Sequence, residues 1–355
     1  MKITFILPYT GISGGAKVVF EFANCLKAKG HTVTVIYPLF PLSSGPRGYD
    51  IKSWINRIGG ALLNVIRGSR INWFDLKAKL SMVSSLSEAN IPDADVIVAT
   101  WWETAYFVNK YSPHKGKKFY LSQHYETWGG PEEKVANSYK LNLRIIVNSG
   151  WLKTILQNKL NLKGDIIALI LFAPNWNDLY YENIIRDKKY LSILMPYRKE
   201  EWKGRKDGIK TFEIVRKEFP DLHFVMFGLE RGKDIPSYVE FHKKPYKSEL
   251  RRIYNLCDIF VFPSRSEGFG MPPMEAMACR RAVVTTHVGA VPEYTIPGQT
   301  ALVCPPGNPQ ELAQNIIKLI KDKELRDKIA ENGYNYIKQF TWEKATEQLE
   351  HLFMG

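Results

Sequence analysis

The sequence predicts an α/β protein of two domains, each built on a parallel sheet. Short apolar runs recur along the 355 residues, each followed by a polar or glycine-rich turn and then a segment with 3.6-residue periodicity. This pattern loosens after Lys163 and through Pro174-Asn175-Trp176-Asn177-Asp178, then starts again, so one series becomes two. A 45% hydrophobic content supplies each series with a packed core and excludes disorder and fibre.

The first unit is the clearest. Ile3 to Leu7 reads as a buried strand, Gly11 to Gly15 as a loop, and Ala16 to Ala28 as a helix with Val18, Val19, Phe22 and Leu26 on one face. Gly30 ends that helix and Thr32 to Tyr37 is the next strand. Val96 to Thr100, Phe119 to Ser122 and Arg144 to Val147 complete the strands expected in the first domain. The second series runs Tyr190 to Met195, Leu222 to Phe227, Ile259 to Pro263, Ala282 to Thr285 and Ala301 to Val303. The expected division is therefore 1–172, a linker at 173–188, a second domain at 189–340 and a closing segment at 341–355. Its amphipathic helix, about Trp342 to Phe353, fits packing on either domain, the first included.

Charge is uneven. The formal net charge is +13, and residues 1–172 carry +10 of it, against +3 for residues 173–355. The basic half is expected to face something anionic. No nucleic-acid recognition motif accompanies the charge, so nucleic acid is not expected as a partner. Cys25, Cys257, Cys279 and Cys304 fall singly, without Cys-x-x-Cys or a nearby His at ligand spacing, which argues against a disulfide framework or a zinc site and fits a reduced, cytoplasmic setting. No run approaches the ~18 apolar residues that span a bilayer, and Pro8 follows too soon for a signal peptide.

In open parallel sheets ligands bind beyond the carboxyl ends of the strands, where helix N-termini present N–H groups. The loop Tyr9-Thr10-Gly11-Ile12-Ser13-Gly14-Gly15-Ala16 lies at such an end. It lacks Gly-x-Gly-x-x-Gly, and Tyr37-Pro38 supplies no ribose-binding acid, so NAD is not expected. Gly14 and Gly15 read either as a tight turn or as a place where backbone approaches an anion.

The strongest signal is Phe262-Pro263-Ser264-Arg265-Ser266-Glu267-Gly268-Phe269-Gly270-Met271-Pro272-Pro273-Met274-Glu275. A strand passes through a glycine turn into a helix starting near Pro272, with two carboxylates eight positions apart. Glu267 can accept bonds from sugar hydroxyls, Glu275 from a ribose diol, and the N–H groups of Phe269, Gly270 and Met271 suit a phosphate.

This stretch resembles the Glu-x7-Glu signature of retaining glycosyltransferases of family four, whose GT-B architecture has two facing Rossmann-like domains with a donor cleft between them. Gly14-Gly15, His124, Val147-Asn148-Ser149, Arg198, Lys203-Gly204, Phe227-Gly228 and Gly289-Ala290-Val291-Pro292-Glu293 follow in the order of that family. The resemblance implies transfer of a hexosyl unit from a nucleotide diphosphate sugar (UDP-, GDP- or dTDP-linked) to a glycan or lipid-linked acceptor hydroxyl, in polysaccharide, glycolipid or cell-surface glycan synthesis. It implies no cofactor and no metal. Catalysis is assigned to Glu267, His124, Lys203 and Arg198, and donor binding to Gly14, Gly15, Arg198, Lys203, Tyr246, Glu267, Phe269, Gly270, Met271 and Glu275. Arg198 and Lys203 suit a leaving diphosphate on chemistry alone, since fixed cations stabilise the charge it develops. Base contacts, largely main-chain, fall around Pro245-Tyr246. Gln123 could take the place of His124 if the strand ends one residue earlier.

Other readings are a nucleotide-sugar epimerase of the same architecture and a non-catalytic two-lobed sugar-binding protein, the latter disfavoured by the paired cations. Asp93-Ala94-Asp95 spells Asp-x-Asp but precedes its strand, at the wrong end of a parallel sheet for a ligand, and reads as a strand-entry turn. Along residues 51–73, Ile51, Trp54, Ile55, Ile58, Leu62, Val65 and Ile66 share a helical face, with Lys52, Arg57, Arg67 and Arg70 largely away from it. That segment reads either as a core-facing helix or as a contact with an anionic membrane, which would place the protein peripherally at the inner face.

Overall fold

The computed structural model describes residues 1–42, 59, 71–184 and 190–355. The chain divides into two compact units, Met1–Phe172 with Trp342–Gly355, and Ala173–Thr341. Each is a parallel sheet flanked by helices.

The first unit has strands β1 (Lys2–Ile6), β2 (Thr32–Pro38), β3 (Lys79–Val83), β4 (Val96–Ala99), β5 (Lys117–Ser122), β6 (Arg144–Val147) and β7 (Ile167–Leu169), in the order β3-β2-β1-β4-β5-β6-β7. Its helices are α1 (Gly14–Ala28), α2 (Trp102–Lys110), α3 (Glu132–Ser138) and α4 (Gly150–Leu160). The order turns at β1 and β4, so the loops after these strands open at one edge. Val18, Val19, Phe22 and Leu26 of α1 are buried, as their periodicity requires.

In the second unit β8 (Ser192–Pro196), β9 (His223–Gly228), β10 (Val239–Lys243), β11 (Ile259–Phe262), β12 (Ala282–Thr286) and β13 (Leu302–Cys304) lie in the order β10-β9-β8-β11-β12-β13. Helices α5 (Arg205–Glu218), α6 (Ser248–Leu256), α7 (Met271–Ala278), α8 (Val291–Tyr294), α9 (Pro309–Lys321) and α10 (Lys323–Ile337) belong to it. The final helix, α11 (Trp342–Met354), returns to the first unit. There Trp342 packs edge-on to Phe22 at 5.2 Å, and Glu350 binds Lys29 at 2.9 Å and His31 at 2.7 Å.

Three strands are absent from the sequence expectation: β3, β7 and β10. Each closes a sheet edge, where one flank is open and the apolar run shortens or alternates with polar residues, as in Lys79-Leu80-Ser81-Met82-Val83 and Val239-Glu240-Phe241-His242-Lys243. The start of α1 also shifts. Ser13 Oγ accepts the Ala16 N–H at 3.2 Å and caps the helix, so Gly14 and Gly15 form its first turn rather than the end of a loop.

The amphipathic face read along 51–73 lies outside the described residues. At the end of that stretch Trp73 donates its indole N–H to Thr10 O at 3.1 Å and packs 5.5 Å from buried Phe20. Among the described residues no helix is long and apolar enough to cross a membrane.

Candidate functional site

In the second unit the loop after β8 is pressed onto the loop after β11. Gly204 has φ +69°, and a Cβ on it would stand 1.8 Å from Pro263 O, so the backbone touches where no side chain fits. Trp202 O, two residues earlier, accepts the N–H groups of Arg265 (2.7 Å) and Ser266 (3.2 Å). Arg265 closes the clamp with a bidentate pair to buried Asp207 in the first turn of α5, at 2.6 and 2.7 Å.

The clamp sets Lys203 Nζ 2.8 Å from Glu267 Oε2. Ser264 donates its hydroxyl to Glu267 Oε1 at 2.8 Å, so both carboxylate oxygens are held although Glu267 is only 8% exposed. Helix α7 then opens behind Gly270 without a side-chain cap. Pro272 and Pro273 have no N–H, so the donors available near its mouth narrow to the backbone around Gly270 and Met271. Phe269 stacks on Tyr294 at 5.5 Å, and the Tyr294 hydroxyl donates to Gly270 O.

Glu275, the second carboxylate of the motif, accepts the Tyr254 hydroxyl at 3.0 Å. Burial pushes the Tyr254 phenol far up, and the Glu275 charge pushes it further, while Arg198 acts in the opposite sense. Tyr294 is likewise raised by burial first, then by Glu267 and Glu275. Tyr254 thus backs Glu275 and Tyr294 holds the Gly270 carbonyl, and both phenols remain neutral donors at physiological pH. Arg198 is exposed and forms no ion pair among the described residues, so its guanidinium is available to an anion. Tyr246 is exposed on the turn before α6, with Lys247 Nζ 5.3 Å from its ring centroid. A cavity of about 830 Å³ on the α5 side, lined by Tyr197, Arg205, Ile209, Arg231 and Asp234 among others, holds none of the predicted donor residues.

The first unit holds the remaining predicted residues. Neither Gly14 nor Gly15 is left-handed, and a Cβ on Gly15 would make only ordinary contact with Gln123. Gln123, immediately after β5, donates its amide to Gly15 O at 3.0 Å. His124 turns elsewhere: its ring lies edge-on to Trp128 at 4.3 Å and beside Trp151 at 5.2 Å. Asn148 donates to Gln123 O at 2.9 Å, and Ser149 caps α4 by accepting Leu152 N–H at 3.2 Å. Asp93 is bonded to Lys115 at 2.9 Å and Asp95 to the Lys2 N–H at 2.6 Å, so both tie the strand entry together.

Sequence reasoning missed Tyr254, Tyr294, Ser264 and the Asp207–Arg265 pair. Ser264 and Arg265 sit inside the recognised motif. The two tyrosines lie in short helices outside the motif, where their hydroxyls carry no separate signal.

Residues 181–336 match the family model for glycosyl transferases group 1. An uncharacterized glycosyltransferase of Methanocaldococcus jannaschii is 40% identical over 109 residues, 31% of each chain. The capsular polysaccharide biosynthesis glycosyltransferase CapM of Staphylococcus aureus is 29% identical over 161 residues, 42% of each chain. The O-antigen chain mannosyltransferase B of Escherichia coli is 35% identical over 100 residues, 28% of this chain and 26% of its own. The matches thus span less than half the length of these relatives. Among solved structures, HepE of Anabaena with UDP and glucose superposes with a TM-score of 0.76 at 16% identity, over 100% of this chain and 99% of its own. Sucrose-phosphate synthase of Thermosynechococcus elongatus gives 0.73 at 16% identity, over 100% and 98%. The chain shares the two-domain, Rossmann-like GT-B fold of these structures.

Proposed function

We propose that the protein is a retaining glycosyltransferase that moves a hexosyl unit from a nucleotide diphosphate sugar to a hydroxyl of a glycan or lipid-linked acceptor in cell-surface or polysaccharide synthesis. The observation that carries this reading is the Lys203–Glu267 pair clamped beside the mouth of α7, with Glu275 on the same helix and Arg198 unpaired among the described residues. A neutral sugar needs no such cations; a diphosphate does.

In this reading Arg198 and Lys203 take the diphosphate oxygens together with backbone N–H groups around Gly270 and Met271. Glu275 receives the ribose hydroxyls, and the nucleobase lies by Pro245 and Tyr246. Glu267 receives hydroxyls of the transferred sugar, while its bond to Lys203 holds the ammonium ready for the phosphate. The bond between the anomeric carbon and the diphosphate oxygen breaks with its electron pair moving to the diphosphate. The acceptor oxygen bonds to the same carbon, and its proton leaves to the departing diphosphate. Charge accumulates on the leaving group as the barrier is crossed, so cations already in place lower it without reorganising. The assignment is metal-independent for the same reason. UDP in the Anabaena complex, and polysaccharide and O-antigen synthesis among the relatives, support both the donor class and the acceptor class.

The test is release of nucleoside diphosphate from UDP-, GDP- and dTDP-sugars, with and without saccharide acceptors. Acceptor-dependent release supports transfer. Conversion of the donor to an epimer without release would instead favour the epimerase reading.

A further inference from the structure

The cavity of about 830 Å³ beside α5 is lined by the second unit alone and by none of the donor residues. Six of its lining residues are cations, Lys199, Arg205, Lys206, Lys210, Arg231 and Lys233, against two carboxylates, Glu213 and Asp234. That is a formal excess of four positive charges in one concavity. Residues 173–355 as a whole carry only +3, so the excess is gathered here rather than spread over the unit.

The floor of the cavity is tightly built. Gly232 lies flat against Tyr197, where a Cβ would stand 1.7 Å from the phenol oxygen. Buried Tyr197 donates its hydroxyl to Asp234 Oδ1 at 2.6 Å, and Arg205 Nη1 donates to the same hydroxyl at 3.3 Å and lies 3.4 Å from Asp234 Oδ2. Arg205 meets both partners through Nη1, so its other N–H groups, the buried Nε included, have no acceptor among the described residues. Arg231 is fixed by donating to Val239 O at 3.2 Å and Pro236 O at 3.1 Å, and neither carbonyl cancels its charge. Lys199, Lys206 and Lys210 meet Glu230, Glu201 and Glu213 in exposed pairs. Pairs of this kind are weak, so an incoming anion can recruit their ammonium groups at little cost.

We propose that this cavity binds a phosphate ester of a polyol, with the phosphate on Arg205, Arg231 and the α5 lysines and the hydroxyls on Asp234 and Glu213. Two guanidinium groups held at fixed positions suit the oxygens of a phosphate, and carboxylates only accept, as hydroxyl groups require. The space is of the size that holds a whole small molecule rather than a lone ion, and Ile209 and Tyr197 offer apolar surface to its C–H groups. A free sugar phosphate and the headgroup of an anionic lipid both present this chemistry. The site does not rest on the transferase reading.

The experiment is calorimetry on the whole chain with glucose 6-phosphate, fructose 1,6-bisphosphate and glycerol 3-phosphate, with glucose and sulfate as controls. Sedimentation with phosphatidylcholine vesicles, with and without phosphatidylglycerol, runs beside it. At least one phosphate ester should bind saturably and more tightly than sulfate, and glucose should not bind. Arg205→Gln should weaken that binding by roughly tenfold or more. Joint Lys206→Gln and Lys210→Gln, confined to exposed positions of α5, should reproduce the loss if Arg205→Gln proves less stable. Lys203→Ala and excess UDP or GDP should leave it unchanged, which sets the cavity apart from the donor site. Binding of soluble esters supports the site with a free metabolite as its ligand; binding confined to phosphatidylglycerol vesicles, and lost in the same variants, supports it with a lipid headgroup. Absence of binding to every ester and vesicle, affinity no better than for sulfate (an adventitious ion only), wild-type affinity in both variants, or displacement by UDP or GDP overturns the proposal.

Discussion

Lys203 Nζ lies 2.8 Å from Glu267 Oε2, although 64 positions separate them in the chain. The pair depends on the glycine contact beneath it and on the Trp202 carbonyl that binds the opposite loop. A cation held by a carboxylate that is itself fixed by Ser264 is preorganised for charge that develops later.

Removing either charge should slow the chemical step. Lys203→Ala and Glu267→Gln are each expected to lower kcat by roughly 100-fold or more, a typical loss for a preorganised electrostatic group. Initial-rate measurement of nucleoside diphosphate release checks this. Unchanged melting temperatures would separate lost chemistry from lost folding.

Gly204→Ala alters no charge, yet its Cβ would stand 1.8 Å from Pro263 O in a left-handed conformation. The Glu201–Lys203 turn must shift, costing about 1–3 kcal/mol as backbone strain. Lowered thermal stability together with lost turnover is expected. An active variant of wild-type stability would show that the two loops do not need this contact.

Glu275→Ala should weaken nucleoside diphosphate binding by roughly tenfold or more, since charged hydrogen bonds contribute about 1.5–3 kcal/mol. Tyr254→Phe serves as the control, because it removes the phenol behind Glu275 while leaving the carboxylate. Calorimetry with UDP and GDP measures both. Equal affinity for wild type and Glu275→Ala would refute the ribose assignment.

Activity should persist in excess EDTA, because Arg198, Lys203 and backbone donors supply the positive charge. Strict dependence on magnesium or manganese would contradict this and reopen the roles of Asp93 and Asp95, which here bind Lys115 and the Lys2 N–H.

Burial drives the Glu126 carboxyl well above the ordinary carboxylate range, against the pull of the Trp102 N–H and the Tyr120 hydroxyl. A raised folded-state pKa stabilises the protein fully below the unfolded value, about 4.3, and that contribution is lost as pH rises through the folded value. Glu126→Gln retains an acceptor for Trp102 and removes the titration. Its melting temperature should therefore vary less with pH above 5 than that of the wild type, and parallel curves would contradict the shift.

Both sheets were legible in the sequence because their central strands are continuous apolar runs, such as Val96 to Ala99 and Ile259 to Phe262, buried on both faces. Edge strands escaped because Lys79-Leu80-Ser81-Met82-Val83 and Val239-Glu240-Phe241-His242-Lys243 alternate with polar residues and carry half the signal. In the second unit, Glu267, Glu275 and Lys203 were visible as motif residues at strand ends. Their supports were not: Tyr254, Tyr294 and Asp207 act through contacts between elements distant in sequence. The packing of His124 against Trp128 and Trp151 was also not legible in the sequence. Gln123 reaches Gly15 O because β5 ends at Ser122 and the next side chain faces α1.

The most direct test of the donor site is a thermal-shift and calorimetric comparison of UDP, GDP and dTDP binding by the wild-type chain and by Lys203→Ala. At least one nucleoside diphosphate should raise the wild-type melting temperature in a concentration-dependent way, as any ligand specific to the folded state must. The shift should be largely lost in Lys203→Ala. Absence of binding by all three at millimolar concentration, or equal binding by both proteins, would contradict the assignment of Lys203 and Glu267 to a nucleotide diphosphate sugar.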